Sequence, residues 1–123
     1  MYYENRVGFG TLVSKVLVSV EETDDTLTFT TTDNETFILY HAQDCCESVY
    51  IESIVGDLED LIGSPILVAE EVESEDCKPL SEYENSYTWT FYKLDTAKGG
   101  VTIRFYGSSN GWYSESVSFA KIQ

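Results

Sequence analysis

Apolar and polar residues alternate with period two along most of this chain, which predicts strands rather than helices. Leu12, Val16, Val18 and Val20 share one face with Ser14, and Val13, Lys15, Leu17 and Ser19 share the other, as in a strand buried mainly on one side. A polar turn over residues 21–25 follows, and Leu27, Phe29 and Thr31 then alternate with Thr26, Thr28 and Thr30. Threonine suits such a half-buried pleated surface. Asp33-Asn34 stands where a hairpin turn needs residues that tolerate positive φ, and Thr36–Tyr40 returns as a third strand. The register puts Phe37, Leu39 and His41 on one face, with His41 at the buried end.

The stretch Ser48–Val55 fits a strand with Val49, Ile51 and Val55 inward, or a helix stacking Val49 or Tyr50 on Ile54; its β-branched content favours the strand. Residues 57–62 predict a short helix capped by Asp57, with Leu58, Leu61 and Ile62 at helical spacing and Gly63-Ser-Pro as its stop. A strand over 66–72 enters a polar loop, 73–85, which holds Cys77 and Pro79. Tyr87, Trp89 and Phe91 alternate with Thr88, Thr90 and Tyr92, and Val101, Ile103 and Phe105 with Thr102, Arg104 and Tyr106. The Asn110-Gly111 pair predicts a hairpin back into Tyr113, Val117 and Phe119, closing a three-stranded meander with one aromatic face. The expected fold is mainly β (α+β at most): an antiparallel seven- or eight-stranded sandwich or half-open barrel with one short helix near 57–62.

Length and composition refine this picture. A chain of 123 residues with 42% hydrophobic content is expected to form a single domain, 1–123, with a real core. No apolar run approaches the ~20 residues of a membrane span, and the first residues lack the pattern of an export signal. Three cysteines, Cys45, Cys46 and Cys77, are an odd number, and free thiols in a reducing compartment are expected.

Charge changes the picture most. Asp and Glu number 22 against 7 Lys and Arg, for a net charge of −15, and no Lys or Arg stands between Lys15 and Lys78. Such a field repels nucleic acid and anionic lipid and attracts a basic protein surface. The residues expected to form the binding surface are Asp44, Glu47, Glu52, Asp57, Glu59 and Asp60, projected together by loop and helix.

Chemical ligand types crowd into residues 41–47. His41, Asp44, Cys45 and Cys46 are metal-ligand types, but adjacent cysteines chelate one ion poorly and the paired spacing of zinc sites is absent, so no metal or other cofactor is expected. The plain alternative has one cysteine packed as a small hydrophobe and His41 bonded to Asp44 as a loop brace. A cysteine nucleophile with His41 as base lacks any surrounding signature, and residues 57–61 lack the spacing of an EF-hand loop. The P-loop and nucleophile-elbow motifs are absent. Trp89, Phe105, Tyr106, Trp112 and Tyr113 are candidates for a base-stacking platform or a small nucleotide pocket, but with Lys93, Lys98 and Arg104 as the nearby cations an aromatic core face is the stronger expectation.

The run QDCCESVYIE, the run GDLEDLIGSPI, residues 88–94 and the Tyr-Gly-x-Ser-Asn-Gly-x-Tyr-Ser-Glu pattern at 106–115 resemble a family of small bacteriophage-encoded proteins catalogued as a domain of unknown function. The resemblance implies phage origin and residence in the host cytoplasm, and it brings no activity, cofactor or catalytic residue. Together with the charge, it leads to a non-enzymatic protein that binds a host protein with a basic surface, without contacting nucleic acid or membrane, as an inhibitor with a DNA-mimic-like face, for example of a defence protein such as a CRISPR nuclease. The competing expectations are a metal- or cysteine-dependent enzyme or nucleotide binder centred on His41, Asp44 and Cys45, and a virion or assembly component.

Overall fold

Two antiparallel sheets of four strands each enclose the core of the structure, a computed structural model that describes residues 3, 5–74, 79–80 and 85–122. The strands are β1 (Leu17–Glu22), β2 (Leu27–Thr31), β3 (Thr36–Tyr40), β4 (Ser48–Val55), β5 (Val68–Ser74), β6 (Ser86–Thr96), β7 (Gly99–Ser109) and β8 (Ser118–Lys121). Their order is β1-β2-β3-β8 in the first sheet and β4-β7-β6-β5 in the second. The arrangement is sandwich-like with no closed barrel, and the only helical elements among the described residues are 3-10 turns at Phe9–Leu12 and Leu58–Leu61. None is long and apolar enough to cross a membrane.

The core lies between the sheets. Leu17, Leu27, Phe29, Phe37 and Leu39 of the first sheet meet Tyr92, Leu94, Val101, Ile103 and Phe105 of the second. Phe9, from the first 3-10 turn, joins them edge to face, with ring centroids 4.8 Å from Tyr92 and 5.1 Å from Phe119. Each large ring removed from water contributes on the order of 2 kcal/mol, and the edge-to-face pairs add to that. Behind the first sheet, Ile38, Tyr40 and Ala120 form a smaller cluster with Tyr3. The N-terminal lead-in runs beside β8 there, with the Lys121 N–H donating to the Asn5 carbonyl at 2.9 Å.

Main-chain bonds join the sheets at two corners. The chain beyond the second 3-10 turn runs beside the start of β1, where Gly63 N–H bonds Leu17 O at 3.0 Å and Ile66 N–H bonds Lys15 O at 2.9 Å. At the other corner the Ile51 N–H of β4 donates to the Asp24 carbonyl in the β1–β2 turn at 2.9 Å.

Two bulges alter the expected faces. The β1–β2 register shifts between Leu17 and Ser19, so Leu17 is fully buried while Val18 is 50% exposed. An expected strand from Leu12 also gives way to the 3-10 turn and to Ser14 at φ 75°. In β4 the register shifts between Ile51 and Ser53, which makes Glu52 the extra residue. A bulge inserts one residue and reverses the parity beyond it. Ile54 therefore packs on the core, and Val55, expected inward, is 59% exposed.

The C-terminal meander also differs from expectation. β7 is flanked by β6 on one side and β4 on the other, so it has no free edge for a returning strand. Asn110 does make a turn, its Oδ1 accepting the Trp112 N–H at 3.0 Å, but the chain then crosses to the first sheet, where β8 pairs with β3. The expected helix is a single 3-10 turn, with Asp57 capping it by accepting the Glu59 N–H at 3.0 Å.

Candidate functional site

His41 lies at the end of β3, 9% exposed, as the alternation of Phe37, Leu39 and His41 predicted. Its partners are set by two loops. Nδ1 is 2.6 Å from the Ser116 carbonyl oxygen, and Nε2 is 2.8 Å from Glu47 Oε2. Each ring nitrogen faces an oxygen, one from a main-chain carbonyl and one from the Glu47 carboxylate.

Glu47 was expected on an acidic surface, but it is buried, at 4% exposure. Its carboxylate also accepts the Asp44 N–H at 3.0 Å, the Cys45 N–H at 2.8 Å and the Gln43 side-chain amide at 3.1 Å. Burial pushes the carboxyl pKa up. The Cys45 N–H, the His41 ring and the main-chain N–H groups of Glu47 and Asp44 outweigh burial and hold it down at about 2. Four residues of loop thus wrap one carboxylate, and the brace expected between His41 and Asp44 runs through Glu47 instead.

The cysteines differ from expectation too. Cys45 and Cys46, expected as free thiols, are joined to each other as a vicinal disulfide, S–S 2.11 Å, on the exposed outside of this loop. Cys77 lies outside the described residues. With both ring nitrogens engaged and both sulfurs bonded, His41, Asp44, Cys45 and Cys46 do not converge, and among the described residues no group of three or more His, Cys, Asp or Glu side chains is placed to hold a metal. The same bonds leave no His41 nitrogen turned toward a cysteine nucleophile.

The other residues expected on the acidic surface do not come together in one place. Asp44 precedes β4 and Asp57 follows it, and eight residues at ~3.3 Å each put them roughly 25 Å apart. Asp57, Glu59 and Asp60 gather at the second 3-10 turn, near Lys98, whose Nζ donates to the Ile62 carbonyl at 2.6 Å. Glu52, at the bulge, faces Arg104 at 3.5 Å. Beside β4 sits the β1–β2 turn, with Glu21, Glu22, Asp24 and Asp25 all exposed. The Ile51–Asp24 main-chain bond makes this turn a neighbour of Glu52, a proximity that sequence spacing does not disclose.

The aromatic residues do not form one platform. Phe105 lies in the core, while Trp89 and Tyr106 are buried on the outer face of the second sheet. There the Arg104 guanidinium lies 5.0 Å from the Trp89 ring centroid, and Tyr106 Oη accepts the Leu80 N–H at 3.1 Å. Trp112 is 87% exposed at the tip of the β7–β8 loop.

One acidic feature was missed from the sequence. Glu71 and Glu73 pair across the sheet with Tyr92 and Thr90, so their side chains share the inward face of the edge strand β5 with Ala69. The spacing of Ala69, Glu71 and Glu73 held the signal, but glutamate on both faces of β5 hid it.

No curated protein and no solved structure matches the chain. A family profile described as a domain of unknown function, DUF7448, matches residues 10–119, from inside the first 3-10 turn to the second residue of β8. The chain therefore belongs to the DUF7448 family.

Proposed function

We propose that this domain works by binding a basic protein surface through its surface carboxylates, principally the exposed Glu21, Glu22, Asp24 and Asp25 with the half-buried Glu52 beside them at one corner, with Asp57, Glu59 and the half-buried Asp60 as a second patch and Asp44 as an outlier. The observation that carries this reading is uncompensated charge. Among the described residues the ion pairs are Lys15 and Lys121 with Glu35, Arg104 with Glu52, and the buried His41–Glu47 pair. The four carboxylates of the β1–β2 turn have no basic partner among them, in a chain carrying −15. Solubility alone asks for dispersed charge of modest excess, whereas here the excess is gathered.

A row of carboxylates along a hairpin presents to a basic groove what a nucleic-acid backbone presents to it, and contacts of this kind are charge-assisted and steered from a distance. The motif resemblance to small bacteriophage proteins supports a host cytoplasmic setting, and the acidic surface supports a partner that normally binds nucleic acid and is inhibited by occupation of its groove. Reversing the charges at Glu21, Glu22, Asp24 and Asp25 should slow association more than reversing Asp57, Glu59 and Asp60, because the turn is the more exposed and less compensated patch. Stopped-flow or surface-based kinetics of both variants against the captured partner measures this. Unchanged association in both would refute the reading.

A further inference from the structure

We propose that the Cys45–Cys46 disulfide is a reversible redox site, opened by a dithiol reductant, whose state is passed through Glu47 and His41 to the loop between β7 and β8. The two sulfurs are bonded and both residues are exposed, so a reductant has access to them. This site does not depend on recognition of a basic partner.

A structural staple is the competing role, and chain physics argues against it. A disulfide stabilises mainly by restricting the unfolded chain, and the restriction grows with the length of chain it closes. Cys45 and Cys46 are adjacent in sequence, so this bond joins no two distant segments. Exposed disulfides are also the labile class, open to thiol–disulfide exchange. In that exchange a thiolate of the reductant attacks one sulfur, the Cys45–Cys46 bond breaks and a mixed disulfide forms. The reductant's second thiol then displaces it. Two electrons and two protons pass to the protein, leaving two cysteine thiols here and a disulfide on the reductant.

The hydrogen bonds around the pair show where the change would travel. The ring closed by the two sulfurs includes the Cys45–Cys46 peptide, so it fixes the main-chain torsions on either side of that peptide. On one side, the Cys45 N–H donates to Glu47 Oε1 at 2.8 Å. On the other, the Cys45 carbonyl accepts the Gln43 side-chain amide, which also donates to the Glu47 carbonyl at 2.7 Å. Opening the ring frees the segment that wraps the carboxylate. Glu47 Oε2 is 2.8 Å from His41 Nε2, and His41 Nδ1 is 2.6 Å from the Ser116 carbonyl oxygen. Ser116 lies in the β7–β8 loop, where its N–H donates to Ser114 Oγ at 3.2 Å, four residues beyond the exposed Trp112. A redox change at one loop thus biases a second loop through one buried ion pair and one ring.

The test uses the isotope-labelled full chain carrying Cys77→Ser, which removes the third thiol. Three states are compared: treated with oxidised glutathione, reduced with dithiothreitol, and reoxidised. Iodoacetamide in denaturant followed by peptide mass should label neither Cys45 nor Cys46 in the first and third states, and both in the second. Amide shifts on reduction should appear at residues 43–47 and again at 114–118, and both sets should revert on reoxidation. Cys45→Ser with Cys46→Ser should place the 114–118 amides at their reduced positions and make them indifferent to dithiothreitol. Alkylation of both cysteines after oxidised glutathione would show that the disulfide does not form and overturns the proposal. So do shifts confined to 43–47, and a 114–118 response to dithiothreitol that persists in the double serine variant.

Discussion

At His41 one imidazole ties three segments together: the end of β3, the carboxylate of Glu47 and the carbonyl of Ser116. The loop that carries both cysteines takes its shape from this carboxylate, through the N–H groups of Asp44 and Cys45. The pH dependence follows with a definite sign. The Glu47 pKa lies below its ordinary 4.5, at about 2, so the stabilisation is whole above pH 4.5 and is lost as pH falls toward 2. Glu35, held below its ordinary value chiefly by its bond to Lys15 and also by Lys121, adds in the same direction. Glu47→Gln keeps one acceptor oxygen and turns an amide toward main-chain donors, so it should lower the urea midpoint at pH 7. The gap to wild type should narrow steadily between pH 4.5 and pH 2.5. A gap that stays constant across that range would mean the carboxylate contributes no charge-dependent stability.

At the scale of elements, the bulges at Val18 and Glu52 decide which residues carry the core. Ile54→Ala should cost about 1–2 kcal/mol and Val55→Ala less than ~0.5, although plain alternation ranks them the other way. Equilibrium unfolding of the two variants checks this directly. Gly56, which turns the chain out of β4 at φ +108°, is a second case: a Cβ there would stand 2.5 Å from the Gly100 carbonyl oxygen. Gly56→Ala should cost about 2 kcal/mol or more, since it adds a steric clash to an unfavourable backbone conformation. Most strands were legible in the sequence because period-two alternation follows from one buried face, as in β2, where Leu27, Phe29 and Thr31 are all buried. The bulges were not legible, since one inserted residue leaves the composition of a strand unchanged. Neither was the route of β8, because Val117 and Phe119 suit either sheet and only the occupied edges of β7 send them to β3. The candidate site was half legible: His41 was placed correctly by parity, but Glu47 reads as a surface acid until the loop closes around it.

Across the whole molecule, the charge of −15 acts on stability as well as on recognition. Repulsion among exposed carboxylates opposes compaction, so raising sodium chloride from about 20 mM to about 500 mM should raise the melting temperature as screening shortens from ~20 Å to ~4 Å. The same screening should weaken recognition of a basic partner, and this opposition of signs separates the acidic-surface account from one in which charge serves solubility only. The deciding measurement is capture from a bacterial host lysate on the immobilised wild-type chain and on the Glu21, Glu22, Asp24 and Asp25 charge-reversed variant, quantified by mass spectrometry across a salt gradient with and without competing duplex DNA. The account predicts a basic, nucleic-acid-binding protein retained by wild type alone at about 100 mM salt, released by about 500 mM, and displaced by the DNA. Equal retention on the charge-reversed variant, or retention indifferent to salt and DNA, would contradict it.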